Sequence, residues 1–405
     1  MPAVTMIRGT VAAALLCASA LVGMSAAAHA DARDVSGGDR SDRAAEITAG
    51  VSHDDGKTAT GELWYRYRRT IPQSTVMVGV VAEAEQSASM SIEATTADGD
   101  SCGSDSEYGG GAGVAPLGPG LVVGYSDPAT PEEDCLGEEL LFKVTPPEPG
   151  SPVTLTVWEE PEIANTSQLR SGFETDYPAW TAPSEDDSAV EANPGSSLAN
   201  ALSVDAGSHS STIAPGEVQV YRVRLGWGDA LSARVRTPAM TPDLADASVF
   251  SPTQLRVYNP LGMLSEDDPA DDGDSGSIGS TNPESLAAGT VPVAPLNRFT
   301  GSTSFVPGDY YVVYAAQATS DGSTARFPYT LDLAVESDGD IAAPRYAGDL
   351  ELLTGSESSS GDEDGSLPGT GILPGSGRTW AGLVLAALAA GCAVAGVGQL
   401  RRTRS

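Results

Sequence analysis

Leu63-Trp64-Tyr65-Arg66-Tyr67-Arg68 and Val218-Gln219-Val220-Tyr221-Arg222-Val223-Arg224-Leu225 decide the fold class. In the first, Leu63, Tyr65 and Tyr67 alternate with Trp64, Arg66 and Arg68. In the second, Val218, Val220, Arg222 and Arg224 alternate with Gln219, Tyr221, Val223 and Leu225. A period of two sends successive side chains to opposite faces, the signature of a strand with one buried face. Working outward, Val76–Ala82, Met90–Ala94, Glu139–Val144, Leu231–Arg236 and Thr253–Tyr258 are further short runs bounded by Gly, Pro, Asp and Ser. Almost nothing from Ser52 to Leu333 keeps a helical period. The expectation is an all-β chain of two tandem β-sandwich, jelly-roll-like domains over 45–160 and 197–337. Between them, 161–196 reads as a Pro- and acid-rich linker in which Tyr177, Pro178 and Trp180 are the candidates for docking onto a domain.

The two halves look duplicated. Ala49-Gly50-Val51-Ser52-His53 recurs as Ala206-Gly207-Ser208-His209, and a Gly-Glu pair follows each, Gly61-Glu62 and Gly216-Glu217. Tyr65-Arg66-Tyr67-Arg68 then matches Tyr221-Arg222-Val223-Arg224. Pro119-Gly120-Leu121-Val122-Val123-Gly124-Tyr125 is paired with Pro307-Gly308-Asp309-Tyr310-Tyr311-Val312-Val313-Tyr314, and Val153–Val157 with Tyr329–Leu333. Four matches in one order point to an internal repeat.

The chain has 405 residues, 55 Asp+Glu against 22 Lys+Arg, and a net charge of -33, which excludes a protein that grips nucleic acid. The ends carry addresses. Arg8, the apolar stretch Val11–Val22 and Ala28-His29-Ala30 before Asp31 form the three regions of a secretory signal over 1–30. Leu15-Leu16 before Cys17 lacks the small residue of a lipid-attachment box. Without 1–30 and 371–405 the chain loses five arginines and no acid, which leaves about -38. Cys17 falls in the signal and Cys392 in a second apolar run, so the exported part keeps Cys102 and Cys135. An isolated pair outside the cell reads as a disulfide, and a redox or metal pair would need shorter spacing and neighbouring histidines.

At the C-terminus a stalk with the acidic run Ser356–Ser366, within 338–379, leads to Leu367-Pro368-Gly369-Thr370-Gly371. Then come an apolar run over 380–400, long enough to cross a bilayer as a helix, and the tail 401–405 with Arg401, Arg402 and Arg404, which would hold that end in the cytoplasm. Motif, apolar run and basic tail in this order resemble the LPxTG sorting signal of Gram-positive surface proteins. The resemblance implies cleavage between Thr370 and Gly371 by a sortase, which would join the Thr370 carbonyl to cell-wall peptidoglycan. The alternative is a permanent single-span anchor in the plasma membrane. Leu373-Pro374-Gly375-Ser376-Gly377 nearly repeats the motif. In the second half, Pro215-Gly216-Glu217, Tyr221-Arg222-Val223, Leu255–Gly262 and Pro307–Val312 resemble the bacterial pre-peptidase C-terminal domain. That resemblance implies an exported accessory β-sandwich without catalytic residues.

Chemistry-bearing motifs are sparse. No Gly-x-Ser-x-Gly elbow, His-Glu-x-x-His or phosphate-binding glycine loop occurs. His53 and His209 read as copied residues of polar turns; a matched pH-sensitive or metal pair is the functional alternative. Glu132–Asp134 with Glu138-Glu139, Glu159-Glu160, and the loop 266–274 with Glu266, Asp267, Asp268, Asp271, Asp272 and Asp274 are acidic clusters. The last reads as solvated or as a Ca²⁺ loop, although it lacks the regular alternation of one. Paired carboxylates could serve glycoside hydrolysis only at a fixed separation across a cleft. Trp64, Trp158 and Trp227 are expected in cores. The expectation is therefore a non-enzymatic surface protein with a structural or binding role, no cofactor and no metal, or else an accessory subunit of a secreted hydrolase or peptidase.

Overall fold

In the computed structural model, the alternating stretches are strands of two successive pairs of sheets. The structure describes residues 32–346 except 59–60, 85–87, 110–114, 128–129, 174–180, 185–187, 241–249, 266–274, 321 and 340. The secretory signal with its cleavage site, the acidic loop 266–274, Tyr177, Pro178 and Trp180, the sorting motif, the apolar run 380–400 and the arginine tail lie outside the described residues. Among the described residues no helix is long and apolar enough to cross a membrane.

The first half contributes β1 (Arg33–Val35), β2 (Ala45–Ile47), β3 (Gly50–Asp54), β4 (Leu63–Arg68), β5 (Thr75–Ala84), β6 (Ser89–Thr96) and β7 (Ser101–Tyr108). It continues through β8 (Ala115–Leu117), β9 (Gly120–Val123), the ribbon β10 (Tyr125–Asp127) and β11 (Thr130–Pro131), β12 (Glu139–Thr145) and β13 (Val153–Glu160). The order β1-β3-β13-β5-β8, with β9 also on β5, makes one sheet, and β2-β4-β12-β6-β7 the other. Leu63, Tyr65 and Tyr67 of β4 face Val76, Val78 and Val80 of β5 and Leu155 and Val157 of β13 in one buried cluster.

The second half repeats the wiring with β14 (Val190–Glu191), β15 (Leu202–Ser203), β16 (Gly207–Ile213), β17 (Val218–Leu225), β18 (Asp229–Thr237) and β19 (Ser251–Tyr258). β20 (Leu264–Ser265), β21 (Ser275–Ile278), β22 (Glu284–Gly289), β23 (Gly308–Ala316) and β24 (Phe327–Ser337) complete it. One sheet runs β14-β16-β24-β18-β22 and the other β15-β17-β23-β19-β20, with β21 on β19. Each half is thus a sandwich of two mostly antiparallel sheets around its own core.

Register corrects two of the sequence matches. β23 lies between β17 and β19 as β12 lies between β4 and β6, whereas β9 flanks β5 as β22 flanks β18. Pro119–Val123 and Pro307–Tyr311 therefore occupy different places, because Pro-Gly followed by apolar residues is a turn-then-strand signal that any hairpin can carry. The histidines are in strands, not turns. Gly50 pairs with Val157 and Gly207 with Leu333, so counting along each strand makes His209 the counterpart of Ser52 and not of His53. The two point to opposite faces. His53 is exposed on the outer face, while His209 lies 6.4 Å from the buried Tyr221 ring.

The repeat also reaches further upstream than the sequence matches. β1 and β14 pair in parallel with β3 and β16, and β2 and β15 with β4 and β17. Bridges Gly38↔Trp64 and Gly195↔Val220 sit at corresponding points between them.

The disulfide joins Cys102 of β7 to Cys135 in a short 3-10 turn over Glu133–Leu136, with S–S 2.08 Å. The buried Arg69 guanidinium braces that turn, donating from Nε to the Ser74 carbonyl at 3.0 Å and from Nη2 to the Cys135 carbonyl at 2.6 Å.

The two sandwiches touch. Met77 of β5 and Trp158 of β13 point away from the first core and pack with Leu261, Met263, Phe305 and Val306 of the second half. The contact element is the turn Asn259–Met263. The wholly buried Asn259 shapes it by accepting at Oδ1 from the Leu261 and Met263 amides at 2.9 and 3.0 Å, and by donating from Nδ2 to the Thr303 carbonyl at 2.9 Å. Gly79 lets this turn approach, since a Cβ there would overlap the Leu261 carbonyl. Across the seam Tyr258 donates its hydroxyl to the Pro116 carbonyl at 2.5 Å, Arg256 pairs with Glu107 at 2.5 Å, and the buried Arg298 pairs with the buried Glu160. Residues 163–173 are not a free tether. Ile163 bridges to Tyr346, and the Phe173 amide donates to Asn297 Oδ1 at 2.9 Å.

Candidate binding groove

Beside that seam one cavity of about 990 Å³ lies along the outer face of the β1-β3-β13-β5 sheet, and a second of about 1190 Å³ lies against Glu191 of β14, Ser210–Thr212 of β16 and Val218 of β17. They share Glu83, Ser196 and Val218 and form one groove. One wall is the outer face of the first sandwich, with Val51, His53, Val81, Thr154 and Thr156. The other is the second sandwich, with Val218, Val220, Arg222 and Tyr311, and the Pro260–Gly262 turn closes one part. The wall residues are outward because their neighbours Ser52, Val80, Leu155 and Val157 are buried inward.

Register aligns Asp34, His53 and Thr154 in one row across β1, β3 and β13. These are the residue types of a hydrolytic triad with one of its two connections. His53 Nδ1 lies 2.9 Å from Thr154 Oγ1, and no hydrogen bond joins the ring to Asp34. The cations of the groove are engaged. Arg222 donates from Nε to Ser203 Oγ at 2.9 Å and pairs with Asp309 at 3.5 Å. Arg326 pairs with Glu217 at 2.5 Å. Burial alone would raise the Glu217 carboxyl, but the bonds from Arg326 and the Ala214 amide outweigh it and hold the group below the usual range. Burial, helped by the neighbouring Asp309, raises the Tyr311 phenol, so it stays a neutral donor. Asp34, Glu83 and Glu191 are exposed and have no partner among the described residues.

Glu159 and Glu160, a candidate carboxylate pair by sequence, line neither cavity. Glu159 follows Val153, Leu155 and Val157 to the core side. It accepts from the Thr70 and Ile71 amides at 2.9 Å, Ser74 Oγ at 2.6 Å and Tyr67 OH at 2.8 Å. Glu160 turns outward to Arg298 and accepts from Tyr346 OH at 3.0 Å. Glu139 is taken by Arg66 at 2.9 Å and Arg68 at 3.4 Å. Trp158 is buried at the seam, Trp227 packs against the second core, and Trp64 is half-buried. Among the described residues no group of three His, Cys, Asp or Glu could hold a metal ion. Asp34 and Glu191 went unnoticed in the sequence because β1 and β14 are too short to show a period. A signal was their equal spacing before Gly38 and Gly195.

No family model and no curated protein matches the chain. Among solved structures, the tandem CBM22-1–CBM22-2 domain of Paenibacillus barcinonensis Xyn10C aligns over 71% of this chain and 91% of its own, at 11% identity and a TM-score of 0.20. The ANX2 ectodomain of Arabidopsis thaliana aligns over 73% and 86%, at 6% identity and a TM-score of 0.19. The CUB1-EGF-CUB2 region of human MASP-1/3 aligns over 70% and 99%, at 6% and 0.16. Likenesses of this size carry no inference about what the chain binds.

Proposed function

We propose that this chain is a non-enzymatic binding protein displayed on the outside of the cell. Its two jelly-roll-like modules would form one head, raised on the stalk over 338–379. The observation that carries the reading is the C-terminal order of Leu367–Gly371, the apolar run 380–400 and Arg401, Arg402 and Arg404. A disulfide between Cys102 and Cys135 suits an oxidising compartment and supports export. In this reading the secretory signal is removed between Ala30 and Asp31. A sortase cuts after Thr370 and links it to peptidoglycan. The groove supplies a binding surface; in its Asp34, His53 and Thr154 row His53 bonds Thr154 but not Asp34, so the ring is without the carboxylate that orients a general base.

The test is mass spectrometry of the C-terminal peptide from wall and membrane fractions of the native cell. A peptide ending at Thr370 and joined to a wall fragment is expected. An intact peptide running through Trp380 in the membrane fraction would replace wall attachment with a permanent membrane anchor.

A further inference from the structure

Three features of the groove converge on one class of ligand. The first is backbone. β1 and β14 end their sheets, no described strand pairs with their outer sides, and residues of both line the groove. An open strand edge presents alternate N–H and C=O groups, which an extended polypeptide satisfies in register. The second is charge. Asp34 on β1 and Glu191 on β14 are repeat-equivalent by register, since Asp34 pairs with His53 and Glu191 with Ser210, each one residue beyond the counterparts Ser52 and His209. Glu83 stands where the two cavities meet. Among the described residues all three carboxylates lack partners, while Arg326 pairs with Glu217 and Arg222 shares Asp309 with Arg224. The charge left open in the groove is therefore negative. The third is the floor, where Val51, Val81, Val218 and Tyr311 offer half-buried apolar surface between the acids.

We propose that the groove takes an extended peptide segment of another protein, laid along the edges of β1 and β14, with Lys or Arg side chains opposite Asp34, Glu83 and Glu191 and small apolar residues against the valines. Strand alternation suits this chemistry, because an added strand sends every second side chain to the outer face, where Asp34, Glu83 and the valines lie together. The proposal rests on the reading of the chain as a binding protein and adds the ligand class to it.

The test measures fluorescence anisotropy of a labelled Lys-Val-Lys-Ala-Lys-Val-Lys peptide against the full exported protein, with the all-D enantiomer as the comparison. The L-peptide is expected to bind at least about tenfold more tightly than the D-peptide, which carries the same charge but cannot extend an L-strand. The combined variant Asp34→Asn, Glu83→Gln, Glu191→Gln should weaken L-peptide binding about tenfold. Asp98→Asn, Asp205→Asn, Glu336→Gln, which removes the same charge from exposed positions elsewhere, should change it less than about twofold. Equal binding of both enantiomers, or equal losses in both variants, would show unspecific attraction to an acidic protein and overturn the proposal. Absence of binding by a folded protein would overturn it too, as would preference for an acidic peptide or an oligosaccharide. The C-terminal peptide reports display independently, so a wall-linked Thr370 together with failed peptide binding would reject the ligand class alone.

Discussion

Two adjacent residues, Glu159 and Glu160, show how far side-chain parity governs the molecule. Burial by itself would raise the Glu159 carboxyl, but the donors from Ser74, Thr70, Ile71 and Tyr67 prevail and hold it below its ordinary value of 4.5. A depressed folded-state value means the carboxylate stabilises the fold above the unfolded value and loses that contribution as pH falls through the folded one. Thermal stability of the exported protein should therefore decline as pH drops below about 4.5, and Glu159→Gln should flatten that decline while lowering stability at neutral pH. Melting curves from pH 7 to pH 3 decide it; an unchanged slope in the variant would remove Glu159 from the account. Tyr67, whose phenol burial and Glu159 push upward, stays protonated throughout and keeps donating. As a second residue-level expectation, Cys102→Ser with Cys135→Ser should cost about 3–4 kcal/mol, because the bridge closes a 33-residue separation, and denaturant titration measures it. The parity of Glu159 was readable from Val153, Leu155 and Val157. Its donors were not, since Thr70–Ser74 meets β13 only in three dimensions.

At the scale of elements, the sequence foretold strands well and their neighbours poorly. Val76–Ala82, Met90–Ala94, Glu139–Val144, Leu231–Arg236 and Thr253–Tyr258 all fall in strands. Local alternation carries that information. Which strands correspond between the halves depends on pairing across more than a hundred residues, and there Pro119–Val123 and the histidines misled. One local sign of the seam was present. β5 is apolar without alternation, Val76-Met77-Val78-Gly79-Val80-Val81-Ala82, as a strand covered on both faces should be. Its inward valines fill the first core, Met77 and Gly79 receive the Asn259–Met263 turn, and Val81 is left to the groove. Gly79→Ala should therefore prise the turn away without touching either core. We expect both sandwiches to keep their circular dichroism and the pair to swell in small-angle scattering; an unchanged radius of gyration would mean the Leu261 carbonyl can yield. Asn259→Ala, which leaves the buried Leu261 and Met263 amides without their acceptor, should act in the same direction at a cost of about 1–3 kcal/mol in denaturant titration.

For the whole molecule the question is whether two cores act as one folding unit. Each sandwich has its own buried cluster, so independent melting is the default for a duplicated chain. The seam opposes this with apolar contact through Trp158, Phe305 and Val306, and with the ion pair of Glu160 and Arg298, 2% and 4% exposed. A pair so buried gains little over an apolar replacement, but removing one partner strands the other's charge and costs about 3–5 kcal/mol. That cost falls on the seam, since Glu160 ends the last strand of the first sandwich and Arg298 lies in the 3-10 segment Pro295–Phe299 of the second. Calorimetry of the exported protein should show a single cooperative transition. Arg298→Met alone should split it into two, because Glu160 then becomes a buried carboxylate whose remaining donor among the described residues is Tyr346 OH. Glu160→Gln combined with Arg298→Met should recover part of the coupling, with a loss smaller than the sum of the single changes. If the wild-type protein already melts in two steps, the seam is a contact and not a coupling, and a ligand in the groove would have to bridge two bodies free to move apart.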